Sequence, residues 1–134
     1  MENKVNDFSM PIRKEDKKIK IGLIGLGTVG SGVFKTLKSF GNVEVVKIAV
    51  RNINKPRNIE GLDSSIVTDD AFSVVNDPNI DIVVELIGGL EPAFQLIETA
   101  IKNGKHIVTA NKELLAKRGE ELFKFAEENN RVIL

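Results

Sequence analysis

One stretch decides the fold: "KIKIGLIGLGTVGSGV", residues Lys18–Val33. It opens on a short apolar run, Ile19–Ile24, passes through a glycine-rich turn and then becomes amphipathic. A short apolar run predicts a buried strand, and apolar residues at helical spacing predict a helix. The stretch therefore predicts strand, turn and helix, with the helix over Thr28–Ser39 and Gly41 as the residue that ends it. The apolar residues on one face of this helix are Val29, Val33, Phe34 and Leu37.

The alternation of strand and helix continues along the whole chain. Apolar and β-branched runs predict further strands at Val43–Val50, Ile66–Thr68, Ile80–Ile87 and His106–Thr109. Strands that alternate with helices form right-handed βαβ units, so the sequence predicts an α/β fold with a doubly wound parallel sheet. The closing "RVIL", Arg131–Leu134, is either the last strand of this sheet or the point where a longer protein continues.

Three more helices are predicted. A short one has Asp69 or Asp70 as its N-cap. The next begins near Pro92, since proline suits the first turn of a helix. Its buried stripe is predicted to consist of Ala93, Leu96, Ile97, Ala100 and Ile101. The last covers Asn111–Asn129, with a break near Gly119.

Composition limits the classes of function. The 134 residues suffice for one domain, and 42% hydrophobic with 28% charged residues is typical of a globular one. Lys+Arg and Asp+Glu both number 19, which argues against bulk nucleic-acid binding. Cysteine is absent, which excludes disulfides and thiolate chemistry and fits a reducing compartment. No apolar run reaches the ~18 residues of a membrane span.

The N-terminus is predicted to be a tail. Residues 1–17 mix both charge signs and lack the apolar core of a secretory signal, so we expect a flexible, solvated tail and a cytoplasmic protein. The alternative is a short arm that binds a partner. Residues 18–134 then form the single folded domain.

The glycine turn has the pattern G-x-G-x-x-G, formed by Gly25, Gly27 and Gly30. The pattern alone is weak, but a strand before it and a helix after it are the setting of a dinucleotide-binding turn. Gly25 permits the tight turn, Gly27 lets the backbone approach a pyrophosphate, and Gly30 allows close packing of helix and strand. The N–H groups of Thr28 and Val29 would then face the phosphates, aided by the helix dipole. The alternative is a glycine-rich turn without a ligand.

The end of the second strand indicates which dinucleotide binds. An acid about 20 residues after the glycines ordinarily holds the ribose hydroxyls. Here the count falls on Val50, Arg51 and Asn52, and none is an acid. Arg51 takes the place where a cation meets a 2′-phosphate, with Lys55 and Arg57 close behind, which favours NADP(H) or the use of both cofactors. The alternative is that these cations form only a solvated loop.

Two further segments follow predicted strands at the same edge of the sheet, where ligands bind in open α/β folds. Gly88 and Gly89 would let a nicotinamide or ribose lie against the backbone. Asn111 is either a helix N-cap alone or part of the site. Lys112 opens the last helix, where a cation is slightly unfavourable for the dipole. It is either a functional cation or an exposed surface lysine.

Two other titratable residues are given no chemical role. Glu85 is an acid inside an apolar strand, and we expect it to pair locally near the site. His106 is the only histidine and precedes a strand at the opposite end of the sheet, so we expect a surface or packing residue rather than a catalytic base. No metal site is predicted.

Four segments together resemble the N-terminal half of homoserine dehydrogenase: "GLIGLGTVGSGV", "AVRNINKPR", "VVELIGGLEPA" and "GKHIVTANKELLA". The resemblance extends over about Ile19–Leu134, and the last segment is far more specific than the glycine turn. It implies a Rossmann-type fold and a reaction in which NAD(P)H reduces aspartate 4-semialdehyde to homoserine, within threonine, methionine and isoleucine synthesis. It also implies a homodimer for the full-length enzyme.

The resemblance also assigns roles to individual residues. It implies that Arg51 faces the adenosine ribose or its phosphate, that Ile87 and Gly88 line the nicotinamide side, and that Lys112 stands between cofactor and substrate as the catalytic residue. A lysine there would stabilise negative charge on the carbonyl oxygen or help to pass the proton. The residues implied to hold the pyrophosphate are Gly25, Gly27, Thr28, Val29 and Gly30.

The chain departs from the family in its length. The family's substrate-binding and dimerising domain lies beyond Leu134, so we expect a cofactor-binding domain that does not turn over substrate alone. We likewise expect no aspartate kinase domain upstream of the first strand. Two alternatives remain: another dehydrogenase of an amino-acid pathway, which would not share the "TANK" segment well, and a non-enzymatic module that senses the dinucleotide.

Overall fold

The computed structural model describes residues 17–134. The expected tail over residues 1–17 therefore lies outside the described residues, apart from Lys17. The described part contains a sheet of five parallel strands flanked by helices. This confirms the predicted α/β class and its Rossmann-type, doubly wound parallel sheet.

The strands are β1 (Ile19–Ile24), β2 (Val43–Ala49), β3 (Val67–Thr68), β4 (Ile82–Glu85) and β5 (His106–Thr109). Their order in the sheet is β3-β2-β1-β4-β5, and every neighbouring pair is parallel. The chain therefore builds outward from β1 to β3 and then returns to the other side of β1 for β4 and β5. The order reverses between β1 and β4, and ligands of open α/β sheets bind at such a switch point.

The helices are α1 (Thr28–Lys38), α2 (Ala71–Val75), α3 (Ala93–Lys102) and α4 (Lys112–Glu128). They cover both faces of the sheet. Phe34 of α1 packs in one core cluster, whereas α2, α3 and α4 contribute to a second cluster on the opposite face. All five residues predicted to form the stripe of α3 are buried.

Two local features were predicted correctly. Asp70 is the N-cap of α2, and its carboxylate accepts the N–H groups of Phe72 and Ser73 at 3.1 and 3.3 Å. The last helix deviates from helical geometry at Arg118, beside the predicted break at Gly119. The Arg118 guanidinium lies 3.4 Å from the centre of the Phe94 ring, which joins α4 to α3.

The predictions for α1 were wrong at two positions. Gly41 does not end the helix, because Ser39 caps it in a right-handed conformation and donates its hydroxyl to the Thr36 carbonyl at 2.6 Å. Val29 is 64% exposed, whereas Phe34 on the predicted apolar face is buried. Val29 lies in the first turn of α1, which begins beyond the end of β1, and it lines an open groove of about 440 Å³ with Val33.

Strand β4 is shorter than the predicted Ile80–Ile87. It stops at Glu85 because the carboxylate of that residue captures the N–H groups of Ile87 and Gly88, which turns the backbone out of the sheet. At the C-terminus, Ile133 forms an isolated parallel bridge with Ile107, so the last residues lie along the outer edge of β5. No helix within residues 17–134 has the length and apolarity to span a bilayer.

Candidate functional site

The strand register brings the predicted site segments to one edge of the sheet. Ala49, Ile24, Glu85 and Thr109 occupy paired positions on β2, β1, β4 and β5. The segments that follow these residues all leave from the same carboxyl edge. With neighbouring strands about 4.8 Å apart, the four positions form a row roughly 14 Å long. The turns after these four strands are therefore close enough to contact one extended ligand.

The glycine turn has the geometry expected of a phosphate-binding turn. Gly25 has φ +109°, a conformation that residues with a side chain rarely adopt. Its N–H donates to the Ala49 carbonyl at 2.9 Å, which fixes the turn against β2. A Cβ added at Gly30 would lie 2.6 Å from the Gly25 oxygen, so helix and turn approach more closely than any side chain allows. Gly25 thus has the backbone conformation of a tight turn and Gly30 the close packing expected of it, and their role in binding a cofactor stays a prediction.

Gly27 faces open space. No described atom outside its immediate neighbours lies within 4 Å of a Cβ added there. Gly27 is also the N-cap of α1, and among residues 17–134 no side chain caps this helix and no acid lies in its first turn. The first amides of an α-helix lack intrahelical partners, so those of Thr28 and Val29 are donors suited to an anion. The turn thus fits a pyrophosphate.

The loop after β2 carries the predicted cations on its surface. Arg51 is exposed and lies two residues beyond Ala49, the β2 position of the row. Arg57 turns back onto its own loop and donates to the Lys55 carbonyl at 3.0 Å. Lys55 and Arg57 line a small cavity of about 170 Å³ together with Ser64, and Arg51 is not part of its lining. Arg57 therefore has a backbone partner in its own loop.

The exits of β4 and β5 are joined by a buried carboxylate. Glu85 is fully buried, and one carboxylate oxygen accepts the N–H groups of Ile87 and Gly88 at 3.1 and 2.9 Å. The other oxygen accepts the Thr109 hydroxyl at 2.5 Å. Sequence reasoning expected Glu85 to pair locally but gave it no role. The signal that could have found the pair is register, because Glu85 and Thr109 end neighbouring parallel strands.

Asn111 is both an N-cap and part of this network. Its side-chain oxygen accepts the Leu114 N–H at 3.1 Å, as a cap does. Its amide nitrogen donates to the Gly89 carbonyl at 2.6 Å, so the residue also ties α4 to the loop after β4. Lys112 follows as the first residue of α4 and is exposed at the carboxyl edge. Lys112 therefore directly follows Asn111, the residue whose side chain binds the loop of Gly88 and Gly89.

The opposite edge holds His106, which was given no chemical role. His106 begins β5 at its amino end, and its Nδ1 accepts the Val132 N–H at 3.1 Å, so it packs against the C-terminal segment as expected. Lys105 is buried there and donates to the Asp77 and Ile80 carbonyls, and burial lowers the pKa of its ammonium group. Within residues 17–134 no group of His, Asp and Glu has the arrangement of a metal site.

Comparison with known proteins identifies the family. Residues 25–134 match the family described as homoserine dehydrogenase, NAD binding domain. The chain belongs to this family. The resemblance seen in the four sequence segments is thereby confirmed, and the cofactor class of the domain is a nicotinamide dinucleotide.

Individual homoserine dehydrogenases agree with this assignment. The chain is 45% identical over 123 residues to the enzyme of Synechocystis sp. and 39% identical over 122 residues to that of Bacillus subtilis. These matches cover 87% and 84% of the chain but only 28% of each relative's length. The crystal structure of a homoserine dehydrogenase from Thiobacillus denitrificans superposes with a TM-score of 0.78 at 48% identity, covering 87% of this chain and 29% of that one.

Proposed function

We propose that this chain is the cofactor-binding part of an enzyme that reduces L-aspartate 4-semialdehyde to L-homoserine, with NADP(H) preferred and NAD(H) accepted. The observation that carries the proposal is the open, uncapped glycine turn at the switch point of the sheet, in a chain of the homoserine dehydrogenase family. The row of strand ends supplies a separate contact region for each part of the dinucleotide.

The pyrophosphate binds at the glycine turn. Gly25 shapes the turn, Gly27 leaves the backbone open to the phosphates, and Gly30 brings α1 against the turn. The amides of Thr28 and Val29 donate to the phosphate oxygens, and the positive end of the α1 dipole favours their charge. No acidic side chain opposes this in the first turn of α1.

The adenosine end lies over the exit of β2. Arg51 is exposed there, at the position from which a guanidinium can pair with a ribose 2′-phosphate in a bidentate manner. An acid at this place would repel that phosphate, and residues 50–52 contain none. This contrast supports the preference for NADP(H).

The nicotinamide end lies over the exits of β4 and β5. Ile87, which is partly exposed, and Gly88, which has no side chain, line this side of the site. The bound cofactor supplies the hydride of the reaction. Lys112 is the catalytic residue: its exposed ammonium group stabilises the negative charge that develops on the substrate's carbonyl oxygen, or passes a proton to it.

The rest of the enzyme lies outside this chain in our proposal. The chain spans 28% of the length of the curated relatives it matches, which supports residues 18–134 as one dinucleotide domain and a separate substrate-binding and dimerising domain. The whole enzyme is proposed to be a cytoplasmic homodimer that serves threonine, methionine and isoleucine synthesis. Homoserine-dependent reduction of NADP by the 134-residue chain alone would contradict this division of labour.

Calorimetric titration with NADPH and NADH tests the cofactor assignment. We expect NADPH to bind about tenfold more tightly, which corresponds to about 1.4 kcal/mol. Arg51→Ala should lower the affinity for NADPH to that for NADH and leave NADH unchanged. Arg57→Ala is the matched control, since it removes a cation from the same loop that already faces its own backbone.

Two results would count against these assignments. Equal affinity for both cofactors, with no loss in Arg51→Ala, would remove the phosphate role of Arg51. Failure of the chain to bind either cofactor would refute the dinucleotide site itself.

A further inference from the structure

Glu85 lies at the centre of the row of strand ends but cannot touch a ligand. Its side chain is 0% exposed, between the β1 and β5 positions of the row. A carboxylate is rarely buried to this extent unless every oxygen finds donors. Glu85 can therefore act on the site only through the groups that donate hydrogen bonds to it.

The first of these groups is the loop after β4. One Glu85 oxygen accepts the N–H groups of both Ile87 and Gly88. The backbone of this loop has much conformational freedom, because Gly88 and Gly89, with φ values of +76° and +77°, have no side chains that restrict them. The carboxylate supplies the constraint that the glycines lack, and so it determines where the Gly88 peptide lies.

The second group is the junction of β5 and α4. The other Glu85 oxygen accepts the Thr109 hydroxyl, and the same hydroxyl accepts the Asn111 N–H at 3.0 Å. The side-chain amide of Asn111 then donates to the Gly89 carbonyl, which connects the network back to the loop after β4. Lys112 is the next residue and starts α4 from this junction.

We propose that Glu85 is a positioning residue that sets the nicotinamide-side loop and Lys112 in a fixed relation to each other. The inference rests on the proposed function, because it takes Gly88 as a contact of the nicotinamide half. One buried carboxylate holds both elements, so a change in the network moves the Gly88 peptide relative to the start of α4. The glycine turn follows β1 and Arg51 follows β2. Within residues 17–134 neither forms a hydrogen bond with the Glu85 carboxylate, although Gly25 lies against the Leu86 backbone.

This arrangement gives the proposal a specific signature. Loss of the network should weaken binding of the nicotinamide half and leave binding of the adenosine half intact. A merely structural role would instead weaken both halves together or destabilise the whole domain. The two cases are separated by comparing NADPH with 2′,5′-ADP, which carries the adenosine and the 2′-phosphate but no nicotinamide.

The experiment is a calorimetric titration of the 134-residue chain and four variants with both ligands. Thr109→Val keeps the side-chain shape and removes the hydroxyl that bridges Glu85 and the Asn111 N–H. It leaves only the long contact of 3.4 Å from the Asn111 side-chain amide to Glu85. We expect NADPH to bind about tenfold more weakly and 2′,5′-ADP to stay within about twofold, as for loss of a hydrogen bond to a charged group. Thr99→Val, at a half-buried threonine of α3 away from the row, is the matched control and should change neither affinity.

Two substitutions at Glu85 complete the test. Glu85→Ala removes the carboxylate that accepts the backbone N–H groups of Ile87 and Gly88 and should weaken NADPH binding at least as much as Thr109→Val. Glu85→Gln keeps an oxygen for the Gly88 N–H and should retain NADPH affinity to within about threefold, which is rescue by the conservative change. If Glu85→Ala does not fold, the comparison of Thr109→Val with Glu85→Gln decides.

The outcomes separate this inference from the proposed function. Equal weakening of NADPH and 2′,5′-ADP in Thr109→Val, or no weakening of either, overturns the positioning role and leaves the dinucleotide site standing. Failure of the unsubstituted chain to bind NADPH refutes both. Circular dichroism of each variant shows whether a weakened affinity reflects lost folding.

Discussion

The close approach of Gly30 to the Gly25 carbonyl gives the sharpest prediction about the fold. Substituting Gly30 by alanine places a Cβ 2.6 Å from the Gly25 oxygen and 3.2 Å from its carbonyl carbon. Real Cβ atoms do not approach so closely, so the helix or the turn must move. Neither moves freely, because the Gly25 N–H is bonded to the Ala49 carbonyl and the Leu86 N–H is bonded to the Ile24 carbonyl beside it.

The size of the effect follows from two opposing contributions. Forcing an extra methyl group into a packed site costs about 1–3 kcal/mol. Alanine is favoured over glycine within a helix by up to about 1 kcal/mol, which offsets part of that cost. We therefore expect Gly30→Ala to lower the free energy of unfolding by about 1–2 kcal/mol.

Gly32 provides a matched control in the same helix. A Cβ added at Gly32 meets no described atom within 4 Å, so only the helix preference acts. Gly32→Ala should raise the free energy of unfolding by up to about 1 kcal/mol. The chain has no Trp or Tyr, so urea unfolding followed by far-ultraviolet circular dichroism is the suitable assay. Equal stability of Gly30→Ala and Gly32→Ala would refute the reasoning from close approach.

Three further predictions concern the stability of the domain, measured in the same urea assay. Asp70→Ala should cost about 1 kcal/mol through loss of the α2 N-cap, and no change would contradict that role. Arg118→Ala should cost about 1 kcal/mol because its guanidinium stacks on an aromatic ring of α3, and Arg118→Lys should recover only part of this. The pKa values of the Asp63 and Asp77 carboxyls are lowered chiefly by backbone N–H groups two residues on. Their contribution to stability is therefore complete above the unfolded value near 3.9 and lost as pH falls through the lower folded values, and Asp77→Asn should flatten this acid dependence.

Much of the fold could be predicted from the sequence, because the spacing of apolar residues and the residue preferences of turns and caps depend on local backbone geometry. Strand β1 and the stripe of α3 follow from runs and spacings of apolar residues, and Asp70 follows from the geometry of an N-cap. The prediction failed where tertiary placement overrides spacing. Val29 has the right spacing for the apolar face of α1, but it lies in the first turn of this helix, and residues 17–134 leave it 64% exposed.

The candidate site was predictable in its parts and not in its connections. Gly25 and Gly30 could be placed from a motif, because their roles depend on local backbone geometry. The link between Glu85 and Thr109 spans 24 residues and arises from the register of two parallel strands, which the sequence pattern does not specify. A carboxylate within an apolar strand indicated an unusual residue, and only the sheet shows what it holds.

The most direct test of the central claim, that a dinucleotide pyrophosphate binds at the glycine turn, is the NADPH affinity of Gly27→Ala. Gly27 has φ −83° and an open surface, so alanine fits the unliganded protein and the free energy of unfolding should change by less than about 1 kcal/mol. The added Cβ occupies the space through which the phosphates approach the backbone. Calorimetry should therefore show at least about tenfold weaker binding of NADPH to a variant that remains folded. Unchanged affinity for NADPH in folded Gly27→Ala would contradict the account.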